Sequence, residues 1–428
     1  MKKIVLSVAL LMLAGAGKAQ DTVSGGNRFT LEDCLNYAFG NNYSLQSIRL
    51  AEEAKEDAYQ QSKKERLPSL NASASENLGN DASLAGSVGL NANMTLYQGG
   101  NIGYAIEQSK LQKEQSSFQT LQYKNDLTVK ILQAFLTALG NEELLKYQEA
   151  VAKASEEQMK QGEEQFRYGK ILESDYLLLE AQYANDKNNV TDTKISRDNS
   201  LLTLKSLLSM PSSEHLQIIS PDTASVQTMA LLPTVEDVLE SGMQTLPDLK
   251  ISQYNIDISK VGLQMSKAGY LPTVSLNGSI GTGHSDFSGF GSQLSNRFNR
   301  QIGVSVSMPI FDNSRNKSKV RQSQIALQQA ELDKKQTELD MEQTLVTEHQ
   351  TLVSAYNKYR TTQIRQNACS KTFDVYRAQF GAGAITAVDL LQQQNNYISA
   401  LNDYIQSKYE FILKRKIIDV YMGVEIKM

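Results

Sequence analysis

The 428-residue chain has no tryptophan, only three histidines and no excess of basic residues. With 43 basic and 47 acidic side chains, its formal net charge is −4, which argues against nucleic acid as a partner. His215, His284 and His349 are scattered, without partners at the spacing of a metal site or a catalytic triad. The 12 methionines do not cluster either. The sequence therefore predicts no enzyme activity, no metal site and no cofactor.

The chain also lacks any apolar run of the roughly 20 residues that a membrane helix needs. A basic start at Lys2 and Lys3, a shorter apolar run over residues 4–13 and small residues at 17 and 19 predict a signal peptide over residues 1–19. If the exported chain enters a membrane, it must do so as strands.

One long unit occurs twice along the chain. Leu67-Pro68-Ser69-Leu70 recurs as Leu271-Pro272-Thr273-Val274, and the offset of 204 (271 − 67) also aligns Thr30 with Thr234. Further along the chain the offset becomes 214 (308 − 94), and the matching positions are Met94–Tyr97 with Met308–Phe311, Gly169 with Gly383, and Asp175 with Asp389. Two constant offsets indicate a duplicated architecture, with about ten extra residues between the strands of the second copy.

Each copy is predicted to contain a helix, a strand hairpin and a long helical hairpin. The first copy is expected over 30–210, with its strand hairpin at about 68–98 and its helical hairpin at about 101–209; the second is expected over 234–422, with a strand hairpin at about 272–311 and a helical hairpin at about 315–421. Residues 211–233 connect the copies. Thr30 is expected to cap the first helix in a capping box with Asp33, and Thr234 to begin the equivalent helix. Cys34 and Cys369 have no cysteine at their equivalent positions, so each is interpreted as a small buried residue.

Both strand hairpins show a period of two. Apolar residues occupy every second position: Val88, Leu90, Ala92, Met94 and Leu96 in the first copy, and Ile302, Val304, Val306, Met308 and Ile310 in the second. Small polar residues and glycines lie between them, which gives each sheet one apolar and one polar face. The remaining sequence is long helix with no spare apolar side to cover the apolar face. The pattern therefore favours a membrane barrel with a wet interior over an ordinary sheet packed on helices.

Four strands per chain are too few for such a barrel, since about eight is the working minimum. Several chains must share one barrel. Two chains would give eight strands and a filled interior, and three would give twelve strands and a clear lumen. The pattern leaves this number open.

Two stretches, Asn101–Phe166 and Arg315–Phe380, contain no proline and could each be a helix of roughly 100 Å. A seven-residue stripe runs through both: Ile325, Leu332, Leu339, Val346 and Val353 in the second, and Leu111, Phe118, Asn125, Leu132 and Leu139 in the first. This repeat predicts coiled-coil packing. An antiparallel coiled-coil rod would explain the stripe equally well, but it would not explain the strands.

Together these features resemble the TolC-like outer-membrane efflux factor family. The resemblance rests on the duplicated helix followed by Leu-Pro-x-Leu/Val, on Met308-Pro309-Ile310-Phe311-Asp312, and on Phe-x-x-Gly-x-Ile-x-x-x-Asp at both helical tips. It implies a mainly α fold with membrane β-hairpins, assembled as a homotrimer with four strands per chain in one twelve-stranded outer-membrane barrel. An antiparallel α-helical tunnel would continue the barrel through the periplasm. A periplasmic adaptor (membrane fusion) protein, an inner-membrane transporter and outer-membrane lipid are the implied partners.

The resemblance also implies a gate. Asp389 falls on an aspartate ring that narrows the closed periplasmic entrance, and Asp175 is its equivalent in the first copy. Gln392 stands where a second acidic ring residue is often found, and Ile385 where a basic latch can sit. The alternative interpretation is that both aspartates only cap helices, since each lies in the first turn of one.

The turns at the two helical tips carry a second expectation. Tyr168, Gly169, Gly383 and Ala384 are interpreted as the surface that meets the adaptor. The alternative is that they are simply turn residues, which would be small or flexible in any case.

The predicted function is the outer-membrane exit duct of a tripartite efflux or type I secretion system. The alternative is a barrel-anchored structural or adhesive coiled-coil protein without a lumen. The residues do not separate small toxic molecules from secreted proteins as cargo. The loop carrying Phe287, Phe290 and Phe298 is expected at a membrane interface or outside the cell.

Overall fold

The computed structural model describes residues 28–78, 84–219, 232–285 and 290–424. The predicted signal peptide and Phe287 lie outside these ranges. The elements are β1 (Arg28–Phe29), α1 (Leu31–Asn41), α2 (Tyr43–Lys64), β2 (Ser69–Leu78), β3 (Leu84–Gln98), α3 (Asn101–Arg167), α4 (Glu173–Leu208), β4 (Gln217–Ile218), α5 (Val235–Thr245), α6 (Asp248–Ala268), β5 (Thr273–His284), α7 (Phe290–Asn296), β6 (Asn299–Ser307), α8 (Arg315–Gly381) and α9 (Ala387–Tyr421). The short helix α7 lies in the extra residues of the second copy.

The first helix of each copy begins with the same cap. Thr30 accepts a hydrogen bond from the Asp33 amide, while Asp33 accepts from the Thr30 amide, and Thr234 and Asp237 repeat this box. The predicted capping residues are therefore confirmed. Each helix then breaks before a second one, at Asn42 in the first copy.

The strands β2, β3, β5 and β6 form one antiparallel sheet in that order. Residues that pair across neighbouring strands point to the same side, so the register assigns the faces. One face carries Leu70, Val88, Leu90, Met94, Leu276, Ile280, Ile302 and Val304; the other carries Ser69, Asn71, Ser73, Asn91, Asn93, Ser275, Asn277, Ser279 and Ser305. The predicted division into an apolar and a polar face is confirmed.

The predicted strand stripe fails at both of its ends. Met308 and Ile310 lie beyond β6, which stops at Ser307. Leu96 leaves the alternation within β3. Thr95 pairs with Ser275 and Tyr97 pairs with Val274, so Leu96 is the extra residue of a β-bulge. Tyr97, and not Leu96, occupies the next place on the apolar face. The expectation for Leu96 was wrong because the bulge shifts the phase of the strand by one residue.

The helices α3 and α8 each contain 67 residues and are therefore roughly 100 Å long. Each ends at a tip where a glycine has a left-handed backbone, with φ of 69° at Gly169 and 74° at Gly383. The helices α4 and α9 then return alongside them. In the described part of the chain, none of the helices combines the length and the apolar character of a membrane span.

Most buried apolar side chains form a central core between α1, α3, α4, α5, α8 and α9. Cys34 lies within it, completely buried and not in a disulfide, and burial raises the pKa of its thiol to about 12. Cys369 is half-buried and also free. A much smaller group near the tips, called the tip cluster below, contains Leu179, Phe373, Phe380, Ala387, Leu390 and Leu391.

The seven-residue stripe behaves differently in the two long helices. In α3, Leu132 and Leu139 are buried inside the chain. In α8, Leu332 and Leu339 are 63% and 60% exposed, while buried Ala330 and Met341 lie on the opposite side of the helix. The predicted packing is thus confirmed for Leu132 and Leu139 of α3, whereas the stripe of α8 is exposed at Ile325, Leu332 and Leu339 and half-buried at Val346 and Val353.

Candidate functional site

The two helical tips have the same backbone geometry. The Gly169 amide donates to the Phe166 carbonyl at 2.8 Å, and the Gly383 amide donates to the Phe380 carbonyl at 2.9 Å. A side chain at either glycine would meet no other atom, so glycine is favoured here by its positive φ and not by lack of space. Tyr168 and Ala384, which flank these turns, are exposed. All four predicted tip residues therefore lie on accessible turns.

Asp389 is exposed and takes part in a helix cap. Its Oδ2 atom accepts hydrogen bonds from the Thr386 hydroxyl at 2.7 Å and the Thr386 amide at 3.3 Å, and its own amide donates to the Thr386 hydroxyl. The capping interpretation of Asp389 is confirmed. A cap fixes the position of the carboxylate without consuming its charge, so capping and gating are compatible roles.

Asp175 has different surroundings from Asp389. Leu172 occupies the position equivalent to Thr386 (386 − 214), and the first turn of α4 has no side-chain cap. Asp175 is half-buried, whereas Gln392, one turn beyond Asp389 on α9, is exposed. The three candidate gate residues thus lie in the first two turns of α4 and α9, behind the tips.

The tip cluster joins the two helical hairpins. It includes Leu179 from α4, Phe373 and Phe380 from α8, and Leu390 and Leu391 from α9. The ring of Phe373 also stacks on Tyr397, with centroids 5.6 Å apart. Two residues of the first hairpin stack in the same way, with the centroids of Phe166 and Tyr176 6.0 Å apart.

A buried polar network lies just behind the tip cluster, and we call it the clamp. It consists of Ser155 on α3, Gln182 and Asp186 on α4, and Gln394 on α9. The Ser155 hydroxyl and the Gln394 amide, at 3.0 Å, both donate to Asp186 Oδ2, and Gln182 donates to Oδ1 at 2.9 Å. Gln394 also donates to the Ser155 hydroxyl at 2.7 Å. Three helices therefore meet at one carboxylate.

Asp186 is completely buried within this clamp. Burial raises the pKa of the Asp186 carboxyl, and the hydrogen bonds from Ser155 and Gln182 oppose that rise. The sequence analysis did not find this group. A signal was present, because Asp186 follows Leu179 by seven residues and the buried seam of α4 continues at the same spacing to Thr193 and Ser200. An acidic residue at a buried seam position indicates a hydrogen-bond partner on a neighbouring helix.

A family model described as outer membrane efflux protein matches residues 34–209 and 239–423. The chain belongs to the outer membrane efflux protein family.

Relatives of this outer membrane efflux protein have low sequence identity but align over most of its length. The outer membrane protein TolC of Vibrio cholerae is 20% identical over 421 residues, which cover 96% of this chain and 93% of that protein. The alkaline protease secretion protein AprF of Pseudomonas aeruginosa is 22% identical over 305 residues, which cover 70% of this chain and 62% of that protein. Their names describe an outer membrane protein and a protease secretion protein.

Solved structures agree on the fold. The CmeC outer membrane channel of Campylobacter jejuni superposes with a TM-score of 0.72 at 16% identity, covering 92% of this chain and 85% of that one. The outer membrane protein VceC of Vibrio cholerae gives 0.69 at 13% identity, covering 92% and 96%. This outer membrane efflux protein therefore has the fold of those channels, a helical tunnel joined to barrel strands.

A second polar link connects the hairpins of this efflux protein further from the tips. Lys408 on α9 donates to both carboxylate oxygens of Glu143 on α3, at 2.8 and 3.0 Å, and the Tyr409 hydroxyl donates to the same group at 2.7 Å. Among the described residues, no group of three or more histidine, cysteine or acidic side chains could hold a metal ion. The polar contacts between the hairpins are thus hydrogen bonds and ion pairs.

Proposed function

We propose that this chain is one subunit of a homotrimeric exit duct in the outer membrane, through which substrates leave passively. The observation that carries the proposal is a sheet with one apolar and one polar face, continuous in the chain with two helices of 67 residues. Lipid covers the apolar face, and the water of the duct covers the face of serine and asparagine. Helices roughly 100 Å long then extend the duct far beyond a bilayer core of about 30 Å.

Two features support several chains per duct. Among the described residues the sheet has four strands, with β2 and β6 at its edges, and membrane strands cannot leave edges unpaired. The exposed apolar stripe of α8 provides a surface for a neighbouring subunit, because a seven-residue apolar repeat packs against another helix. Three chains give the twelve strands that leave a clear lumen.

The energy and the choice of cargo come from partners in this proposal. A periplasmic adaptor meets the tips at Tyr168, Gly169, Gly383 and Ala384, and an inner-membrane transporter supplies the substrate. All four tip residues are exposed, as such contact requires. The names of the relatives cover both channels and protease secretion, so the proposal includes efflux and type I secretion alike.

The gate is proposed to consist of Asp389, Asp175 and Gln392. Three subunits bring three copies of each carboxylate to the tunnel entrance, where they attract cations and repel each other. Their position near the tips places them where the tunnel is furthest from the membrane strands. The Thr386 cap leaves the charge of Asp389 in place, so the capping bonds do not conflict with this role.

Single-channel recording in a planar bilayer tests the proposal. The wild-type oligomer is expected to show a small cation-selective conductance, and the Asp175→Asn/Asp389→Asn variant a larger conductance or a weaker cation preference. Both proteins are checked for intact oligomers before recording. An absence of conductance in both would refute the duct and favour a barrel-anchored rod, with the aspartates serving only as helix caps.

A further inference from the structure

We propose that the clamp formed by Ser155, Gln182, Asp186 and Gln394 holds the gate end of α9 against the first helical hairpin and so keeps the entrance closed. The inference rests on the proposed function, because it assigns Asp186 and Gln394 as positioning residues for the candidate gate. Gln394 follows Asp389 by five residues, about 7 Å along the helix. The contacts of Gln394 therefore fix where the first turns of α9 lie.

The clamp joins the hairpins where the apolar contacts between them are fewer than in the central core. The central core contains many buried apolar residues, whereas the tip cluster contains six, with four half-buried apolar residues packed against them. The other polar link from α9 to α3, through Lys408, is 14 residues away from Gln394 (408 − 394), or about 21 Å. Regions with few buried apolar contacts open most easily, so the clamp carries a large share of the attachment at the gate end.

The two copies of the repeat show that packing alone does not require these polar groups. At the offset of 214, Asp186 corresponds to Ala400, which is completely buried, and Ser155 corresponds to Cys369. An apolar residue therefore fills the equivalent place in the second copy. Burial of a carboxylate is costly, and polar groups in such seams often specify an arrangement instead of adding stability. The clamp occurs in one copy only, where α9 meets the first hairpin.

A polar clamp also suits a contact that must separate. When α9 moves away, Asp186 and Gln394 regain hydrogen bonds with water, which offsets part of what separation loses. An apolar seam would gain nothing from water. Gln394 further lines a cavity of about 160 Å³ with Tyr147 and Tyr397, and its Oε1 atom has no hydrogen-bond partner in the described part of the chain. The clamp thus leaves one hydrogen-bond acceptor of Gln394 unused.

The variants for the test follow from the hydrogen bonds. Gln394→Leu removes both bonds that α9 makes to the clamp and leaves Asp186 buried with fewer donors. Ser155→Ala is a smaller change that removes one donor to Asp186. In each case the closed state loses a hydrogen bond that the separated state does not make. Loss of one hydrogen bond to a charged group is expected to raise the fraction of time open about tenfold.

The double variant Asp186→Leu/Gln394→Leu separates a clamp from simple packing. Removing one partner strands a buried polar group, whereas replacing both by apolar residues of similar volume removes the buried charge together with its donor. The Ser155 hydroxyl can then bond a carbonyl of its own helix, and half-buried Gln182 can bond water. The double variant is therefore expected to be at least as closed as wild type. Asn395→Leu, on the exposed neighbouring position of α9, is the matched control and should behave as wild type.

The measurement is the open fraction of the full-length oligomer in planar bilayers, recorded beside the Asp175→Asn/Asp389→Asn variant. Opening by Gln394→Leu and Ser155→Ala, with closure restored in the double variant, supports the clamp. Wild-type behaviour of both single variants, while the aspartate variant still conducts more, overturns the clamp and leaves the duct intact. A double variant as open as Gln394→Leu also overturns it, since loss of packing would then explain the opening. No conductance in any of the proteins overturns the duct and the clamp together.

Discussion

Asp175 and Asp389 occupy equivalent positions of the repeat, yet only Asp389 is part of a capping box. The sequence placed both in the first turn of a helix and suggested a cap for each. The repeat puts Leu172 at the position of Thr386. Because leucine has no hydroxyl, Asp175 cannot form the capping box that Asp389 forms. Asp186 was missed altogether, because burial of a single charged side chain depends on contacts from α3 and α9 that lie far away in sequence.

Thr386 and Asp389 allow the cap to be separated from the charge. Thr386→Ala removes the cap and keeps the carboxylate, so it is expected to cost about 1 kcal/mol of stability without changing cation preference. Asp389→Asn keeps an oxygen that can accept the Thr386 bonds and removes the charge, so it should lower cation preference with little loss of stability. Thermal unfolding and reversal potentials in a salt gradient measure the two effects. Loss of cation preference in Thr386→Ala alone would contradict this assignment.

The raised pKa of Asp186 predicts how the closed state depends on pH. A buried carboxyl with a raised pKa binds its proton more tightly in the closed state than in a hydrated, separated state with a pKa near the ordinary 3.8. Closure is therefore favoured at low pH, and this advantage is lost as pH rises from 3.8 through the raised value. Burial raises the pKa of Asp186, and the hydrogen bonds from Ser155 and Gln182 lower it by a smaller amount.

Open fraction against pH should be recorded in the Asp175→Asn/Asp389→Asn background, so that these two gate carboxylates do not titrate. The open fraction is expected to increase with pH in this background. The added change Asp186→Asn should flatten the curve, because it removes the group that titrates. An equally steep curve with Asn at position 186 would assign the pH dependence to another group.

At the scale of elements, periodicity predicted the long helices, the two faces of the sheet and the glycine tips. These features depend on local patterns that persist over many residues. The bulge at Leu96 depends on pairing between β3 and β5, which a single strand does not reveal. Likewise, the stripe predicted coiled-coil packing in α3 and α8, but it could not say that its residues would be buried within the chain in α3 and exposed at Leu332 and Leu339 in α8.

The exposed stripe of α8 predicts where subunits meet. Leu332→Lys places a charge on this apolar surface and is expected to weaken or abolish the oligomer, while the helical content of each chain stays the same. Thr347→Lys introduces the same charge on an exposed position beside the stripe and should leave the oligomer intact. Native mass in detergent and circular dichroism provide the two readings. An intact Leu332→Lys oligomer would exclude the stripe as the interface.

At the scale of the whole molecule, one architecture is used twice and then diverges where the copies have different neighbours. The second copy carries the extra segment with α7, the exposed stripe and the Thr386 cap, while the first copy carries the buried Asp186. In the proposed clamp, this asymmetry puts the buried carboxylate of Asp186 in the first hairpin and its donor Gln394 in the second. The number of chains and the identity of the partners depend on contacts with other molecules. The patterns within one chain therefore left both open.

The most direct test of the central claim is a cryo-electron microscopy map of the full-length protein in lipid nanodiscs. The account predicts three chains, a twelve-stranded barrel with the serine and asparagine face toward a continuous lumen, and a helical tunnel narrowing at Asp389. A map with the apolar face of Leu90 and Ile302 turned inward, or with helical rods that enclose no lumen, would contradict it.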